Sequence, residues 1–539
     1  MIWGRPLRSI FALFNGKKLP FKLQHLDSTD IIIVEQDLVS KSRKVKSFKE
    51  YSSFLKENKI IFDQNERQKI ILKRFISVSN SKNYKERYNQ YLLEEVVNIV
   101  ENPNVVLVSF DKEYLKIPEE IIISTIEKHQ KYFPLFDSRG KLTNHFFVVA
   151  NKKDEKKLIS EGNKRVVDAR LADAKFFWEK DRSKNLIKQI ANLKTVTFYE
   201  KIGSIYDKTQ RIRKLAGLLS DELNINKEKV QVAASISKSD LCSDLVKEFP
   251  ELQGVMGKYF ALSQGFEDDV ANSISEHYLP IGLTSALPKK PFSYSISIVD
   301  KIDSLVGFFL INEKPTSSKD PFALRRSAIG LLRVIIKNKL FVKLRDLINY
   351  SIRLYEEQGV EIKNENTEME LLDFLKERMR NILKLKNIKT DIIEASVSSH
   401  VGDNFLDLYK KSILMNKYIH KDIGIKAVSS YKRASNITDK IEKGITGRPD
   451  AVLFRTEEEK ILFEKINEIR KAFTVKESNK DYENLLIRLS ETKQFTDNFF
   501  DNVVVNDENQ DIKNNRLELL KMFCNTFNNF INFSKLEGI

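Results

Sequence analysis

The sequence predicts a multidomain, mainly α-helical chain with a mixed α/β part at its N-terminal end. Three observations carry this. The chain has 539 residues, and at roughly 150 residues per domain that length corresponds to three or four domains. Its first third contains short β-branched runs bounded by turn residues, the pattern of strands. From Val166 onward, apolar residues recur every three or four positions, the spacing of helices with one buried face.

Residues 31–34 form a β-branched run that ends in polar residues, and 105–110 and 146–150 are apolar runs bounded by Asn, Pro, Asp and Lys. All three read as strands. Pro118 opens a helical stretch that reaches 126–129, because proline in a first turn sacrifices no hydrogen bond. This region reads as an α/β or α+β body. Ile212, Leu215, Leu219 and Leu223 then mark one face of a helix, followed by segments 237–249 and 252–262. A loop carries Pro280, Pro288 and Pro291, and another over 312–321 precedes a helix over 322–336. The polar stretch 356–368 reads as a loop. In the last 140 residues or so, three helices are marked by Leu453, Ile461, Ile466, Ile469 and Phe473, by Leu485, Leu486, Leu489 and Phe495, and by Leu520, Phe523, Phe527 and Phe530.

Composition narrows the function classes. Apolar residues make up 41%, enough to fill several cores, which excludes a mostly disordered chain. No apolar run approaches the roughly 18 residues of a membrane span. Two cysteines, Cys242 and Cys524, exclude a disulfide scaffold and favour a reducing compartment such as the cytoplasm. The N-terminus has basic residues and a short apolar stretch without a small-residue cleavage site, so it does not read as a signal peptide. The net charge of +16 fits either a polyanionic partner, drawn by Lys and Arg, or a lysine-rich composition with solvated side chains.

Most catalytic motifs fail on inspection. Gly254 and Gly257 lack the spacing of a phosphate loop and read as a helix-packing pair. A metal-dependent phosphohydrolase needs several imidazoles and carboxylates around one ion, whereas residues 166–291 contain one histidine, His277. Asp240, Asp244 and Glu248 recur at helical spacing and read as a solvated helix face. No G-x-S-x-G elbow occurs, and Cys524 reads as a core residue. Residues 454–457 (FRTE) match a string by which class II synthetases bind ATP, but they run into an amphipathic helix, without a second arginine motif.

Basic clusters remain. Arg325 and Arg326 open the 322–336 helix, and Arg333 lies two turns beyond Arg326 on roughly the same face. Lys426, Lys432, Arg433 and Asn436 form a second cluster. The planar fork of arginine suits phosphate. Pairing of Arg325 and Arg326 with Asp300 or Asp303 is the structural alternative, and helix capping is the alternative for Asn436.

Longer motifs resemble one family. Residues 162–181 (GNKRVVDARLADAKFFWEKD) are similar to a signature of the β subunit of bacterial glycyl-tRNA synthetase. So are 129–134 (HQKYFP), 203–212 (GSIYDKTQRI), 238–241 (KSDL), 251–259 (ELQGVMGKY) and 319–326 (KDPFALRR). Residues 432–437 (KRASNI), 499–506 (FFDNVVVN) and 515–517 (NRL) resemble its anticodon-binding domain. The resemblance implies a B3/B4-like α/β body over 1–165, an HD-like helical domain over 166–310, a helical connector over 311–398 and a DALR-type anticodon-binding bundle over 399–539. It implies a glycine–tRNA ligase of two α and two β chains, in which this chain binds tRNA(Gly). The activation site, with ATP and Mg, is then expected on the α subunit, and no cofactor or catalytic residue on this chain. Lys426, Lys432, Arg433, Asn436, Arg325, Arg326 and Arg333 are the expected tRNA contacts. Family members extend upstream of the stretch resembled by residues 3–14, so part of the body is expected to lie outside this sequence. The other readings of the residues are an HD-type phosphohydrolase and an assembly scaffold that does not touch RNA.

Overall fold

The computed structural model describes residues 7–36, 39–85, 87–399, 403–438, 445–474 and 481–537. The chain divides into two compact units, Met1–Ser183 with Lys247–Leu252, and Lys184–Val246 with Gln253–Ile539.

The first unit contains the sheets. Ile31–Gln36 and Val39–Lys44 pair as an antiparallel hairpin in the register Ile31 to Lys44. Alternation turns Ile32 and Val34 inward against Val45, Phe54 and Leu55. A four-stranded antiparallel sheet follows, in the spatial order Tyr84–Lys85, Phe133–Asp137, Leu142–Ala150, Asn104–Ser109. Helices Gln64–Lys82 and Gln90–Ile99 cover one face through Ile71, Phe75, Leu93 and Val97, which pack on Phe133, Leu135 and Phe147. Two of the three sequence-predicted strands, near Val105 and Phe146, are thus neighbours in one sheet, and the third, at Ile31, lies in the hairpin. Their antiparallel pairing makes this part α+β rather than α/β. Pro118 caps the helix Glu119–Ser124, which runs on into a wider π turn over Thr125–His129.

Among the described residues, the second unit is helical apart from one two-stranded pairing, Thr197–Tyr199 with Gly203–Ser204. Helix Ile205–Leu223 starts on a reciprocal cap, in which Ser204 and Asp207 each bond the other's backbone amide. It buries Ile212, Leu215 and Leu219, the face its spacing predicts. Helix Pro291–Leu310 runs through the middle of the unit and packs on helices Ile205–Leu223, Asp268–Glu276, Leu324–Asn338 and Leu344–Glu357. The sequence alone places only a proline-bearing loop at its start and a loop after its end. Fifteen of the helix's 20 residues are buried, so it has no polar stripe to reveal its period.

Beyond Thr367–Lys384, Thr390–Ser399 and Phe405–Tyr418 the chain ends in four helices: Asp422–Thr438, Glu457–Phe473, Tyr482–Asn502 and Gln510–Asn528. Residues 454–457 enter the second of these through a reciprocal cap between Thr456 and Glu459, so the string is a helix start. Cys524 is buried in the last. No helix among the described residues is long and apolar enough to cross a membrane.

Candidate nucleic-acid interface

The C-terminal helices enclose a groove of about 900 Å³. Helix Asp422–Thr438 contributes Lys426, helix Glu457–Phe473 contributes Lys465, and helix Tyr482–Asn502 contributes Arg488, Lys493 and Phe495. Lys465 lies 5.8 Å from the centre of the Phe495 ring. Each cation also meets a carboxylate: Lys426 pairs with Asp422 at 2.7 Å, Lys465 with Glu468 at 2.9 Å, Arg488 with Glu468 at 3.4 Å and Lys493 with Asp497 at 2.6 Å. Exposed pairs of this kind contribute little to stability.

Arg433 lies two turns after Lys426 and therefore on the same face. Its guanidinium donates to Asp497 at 2.8 Å and Asp501 at 3.0 Å, and stands over the Phe500 ring. Those carboxylates outweigh burial and raise its pKa. Lys432 is half-buried on the adjoining stripe and Asn436 is exposed. Asn436 stands inside its helix, so it does not cap one. The structure thus gathers Lys426 and Arg433 beside one groove. Lys465, Arg488, Lys493 and Phe495 were missed by the sequence reading, since no local spacing links residues that only tertiary packing brings together.

The other predicted cluster is not one patch. Asp320 accepts from the Leu324 and Arg325 amides at 2.8 and 3.0 Å and so caps helix Leu324–Asn338. Arg325 ties back to the Thr316 carbonyl. Arg333 donates to the Gly282 and Ser285 carbonyls at 2.8 and 3.1 Å and pins the proline loop. Arg326 is exposed. Asp300 and Asp303 do not pair with Arg325 or Arg326. They pair with Lys208 and Arg211 of helix Ile205–Leu223 and with Lys238, at 2.6–3.3 Å.

That buried network also corrects the reading of Asp240 as solvated. Asp240 lies in the short turn Ser239–Cys242, is 1% exposed and accepts from the amides of Gly254 and Gly257. Burial pushes its carboxyl up to about 6, against the pull of the two amides. The amides are within reach because Gly254 adopts φ +78°, with the Tyr278 ring 2.8 Å from where a Cβ would stand. Asp244 and Glu248 pair separately, with Lys184 at 3.1 Å and Arg170 at 3.5 Å. Beside this network, burial and Lys238 hold the His277 imidazole well below its ordinary pKa. Among the described residues, no group of three or more His, Cys, Asp or Glu could hold a metal ion.

Comparison with known proteins places the chain in a family. The profile of the glycyl-tRNA synthetase beta subunit family matches residues 1–398. The chain belongs to that family. A second profile, the DALR anticodon binding domain, matches residues 428–536 and so takes in most of the groove and Arg433. The glycine–tRNA ligase beta subunit of Rickettsia canadensis (strain McKiel) is 37% identical over 535 residues, covering 99% of this chain and 78% of the relative. That of Clostridioides difficile (strain 630) is 36% identical over 547 residues, with the same coverage. Residues in two of the motifs quoted above hold the fold. Lys208 and Arg211 of 203–212 are buried in the ion network. Asn515 of the NRL motif exchanges two hydrogen bonds with the Asp450 backbone, at 2.6 and 2.9 Å.

Proposed function

We propose that the chain is the tRNA-binding β subunit of a glycine–tRNA ligase, assembled as two α and two β chains in the cytoplasm. Glycine activation, with its ATP and Mg, takes place on the α subunit. This chain holds tRNA(Gly) so that its acceptor end reaches that site. The first part, over 1–165, is the B3/B4-like body. The HD-like domain over 166–310 and the connector over 311–398 join it to the anticodon-binding bundle over 399–539. The observation that carries the reading is the coincidence of the anticodon-domain match with a groove to which Lys465, Arg488 and Lys493 contribute. In this reading Lys426, Lys432, Arg433 and Asn436 contact the anticodon arm, where unstacked bases are read by stacking and edge hydrogen bonds. Phe495 supplies a stacking face. Of Arg325, Arg326 and Arg333, Arg326 is the exposed one. Arg325 and Arg333 act by shaping the loops around it.

Filter binding of tRNA(Gly), and of a tRNA(Gly) with an altered anticodon, tests this at fixed salt. The chain is expected to prefer the natural anticodon. Lys432→Ala with Arg433→Ala is expected to weaken binding and flatten its salt dependence by about one unit of slope per lost phosphate contact. Equal affinity for both tRNAs, untouched by the double substitution, would refute the anticodon role.

A further inference from the structure

An apolar pit opens on the first unit where helix Gln64–Lys82 meets strand Tyr84–Lys85 at the sheet edge. Phe75 stacks on Phe147 with ring centres 4.6 Å apart and meets Phe133 edge-on at 4.9 Å, so the floor is aromatic. Leu72, Ile76 and Tyr88 form the walls. The cavity of about 60 Å³ is several times what one water requires, roughly 15 Å³. It is too small to enclose a ring, so a planar group is held at the mouth, where Ile76 and Tyr88 are exposed.

The rim is cationic. Lys85 and Arg87 stand at the mouth, and Arg87 is held 4.4 Å above the Phe136 ring. On the helix, Lys69 and Lys73 lie three residues before Leu72 and Ile76, and Lys82 three residues after Ser79, so these lysines flank the pit. All five cations are exposed. Among the described residues none makes an ion pair and no carboxylate lines the cavity. This differs from the C-terminal groove, where every lining cation already has a carboxylate partner.

An aromatic floor ringed by unpaired cations is complementary to a planar ring that carries phosphate. We propose that the pit takes one nucleotide of an RNA strand, its base against Phe75 and Tyr88 and its phosphates on Lys85 and Arg87. The strand continues along Lys69 and Lys73. The RNA as source rests on the tRNA-binding reading above. The nucleotide chemistry does not, because it is built from a different surface.

Titration of the full chain with AMP, adenosine and inorganic phosphate by calorimetry tests the pit, and filter binding of tRNA(Gly) tests the source. Lys85→Ala with Arg87→Ala removes exposed cations. Ile76→Glu sets a carboxylate at the mouth. Unchanged melting temperatures show that both variants fold. AMP is expected to bind more tightly than adenosine or phosphate. Each variant is expected to weaken both AMP and tRNA by about tenfold, the scale of one lost base stack. No binding of AMP, or binding that both variants leave intact, overturns the site. Capture of an acidic, phenylalanine-bearing peptide in place of AMP also overturns it. Variant-sensitive AMP binding beside variant-insensitive tRNA binding overturns RNA as the source. A wild-type chain that takes AMP but no tRNA upholds the nucleotide site and refutes the tRNA reading.

Discussion

Arg211 donates from Nε to Asp303 Oδ1 at 2.6 Å, with the two side chains 1% and 0% exposed. The same guanidinium lies 3.8 Å from the centre of the Tyr355 ring and donates to its hydroxyl oxygen at 3.1 Å. Burial works against the charge on Arg211, but Asp303 and Tyr355 outweigh it and raise its pKa. Three helices, Ile205–Leu223, Pro291–Leu310 and Leu344–Glu357, are therefore joined by one charged contact.

Removing one partner of a buried pair leaves the other charge uncompensated. Arg211→Ala is expected to cost about 3–5 kcal/mol. Arg211→Lys also falls short, because an ammonium cannot reproduce the fork. Replacing both, Arg211→Met with Asp303→Leu, is expected to cost clearly less than either single change. Urea midpoints of the three proteins check this, and a double variant weaker than Arg211→Ala would refute it.

Gly307 is what lets Tyr355 reach Asp303. A Cβ at 307 would overlap the Tyr355 hydroxyl oxygen, and that hydroxyl donates to the Asp303 carbonyl at 2.8 Å. Gly307→Ala is expected to destabilise the chain by about 1–3 kcal/mol through overpacking. In a Tyr355→Phe background the clashing oxygen is gone, so the added cost of the methyl shrinks. A double-mutant cycle on thermal or urea unfolding measures that coupling, and strict additivity would rule the contact out as the cause.

The pH dependence around His277 and Asp240 has two opposed parts. Burial, with help from Lys238 and Lys301, keeps buried His277 neutral well below its ordinary pKa, although Asp300 pulls the other way. The unfolded imidazole protonates as pH falls below about 6.5 while the folded one does not, so stability drops by up to about 1.4 kcal/mol per unit. Asp240 is raised to about 6, so the folded state holds that proton first and gains stability as pH falls below about 6. The wild-type profile mixes the two. His277→Gln removes the first part alone. Relative to wild type, the variant is therefore expected to gain stability between about pH 7 and pH 5. Urea unfolding of both proteins at those two pH values reads the change, and a pH-independent difference would exclude His277 as the titrating group.

These residues also show where sequence ceases to be informative. Half-buried helices such as Ile205–Leu223 declare themselves, because Ile212, Leu215 and Leu219 alternate with polar neighbours at helical spacing. Helix Pro291–Leu310 does not, since Ser293, Ser297, Lys301 and Asp303 are buried along with its apolar residues. Charge is read as surface by default, and that default fails for Lys208, Arg211 and Asp240, which find their partners only across the fold. Arg326 and Arg333 share a helical face by spacing, yet the loop at Gly282 claims only Arg333. The groove beside Lys426 was legible on one of its three helices, because its other cations sit 39 or more positions away.

Arg516 extends the same logic to the anticodon-binding bundle. It is 6% exposed and donates from Nε to Glu459 at 2.7 Å, and from Nη1 to Asp507 at 2.6 Å and to the Val504 carbonyl at 2.8 Å. Glu459 in turn accepts from the Arg455 and Thr456 amides at 2.7 and 2.8 Å and so starts helix Glu457–Phe473. One guanidinium thereby fixes the entry of the helix that carries Lys465 to the helix Gln510–Asn528. Arg516→Ala leaves Glu459 buried without its cation, at a cost of roughly 3 kcal/mol. Lys465 then no longer keeps its place in the groove with Lys426 and Arg488. tRNA affinity is expected to fall although Arg516 touches no groove residue, and the loss should track the bundle's unfolding as temperature rises. Arg516→Lys, which keeps the charge without the fork, is expected to recover part of the stability and the same part of the binding. Filter binding and circular dichroism over one temperature series compare the two, and full binding by an Arg516→Ala chain with a loosened bundle would break the link between this clamp and the groove.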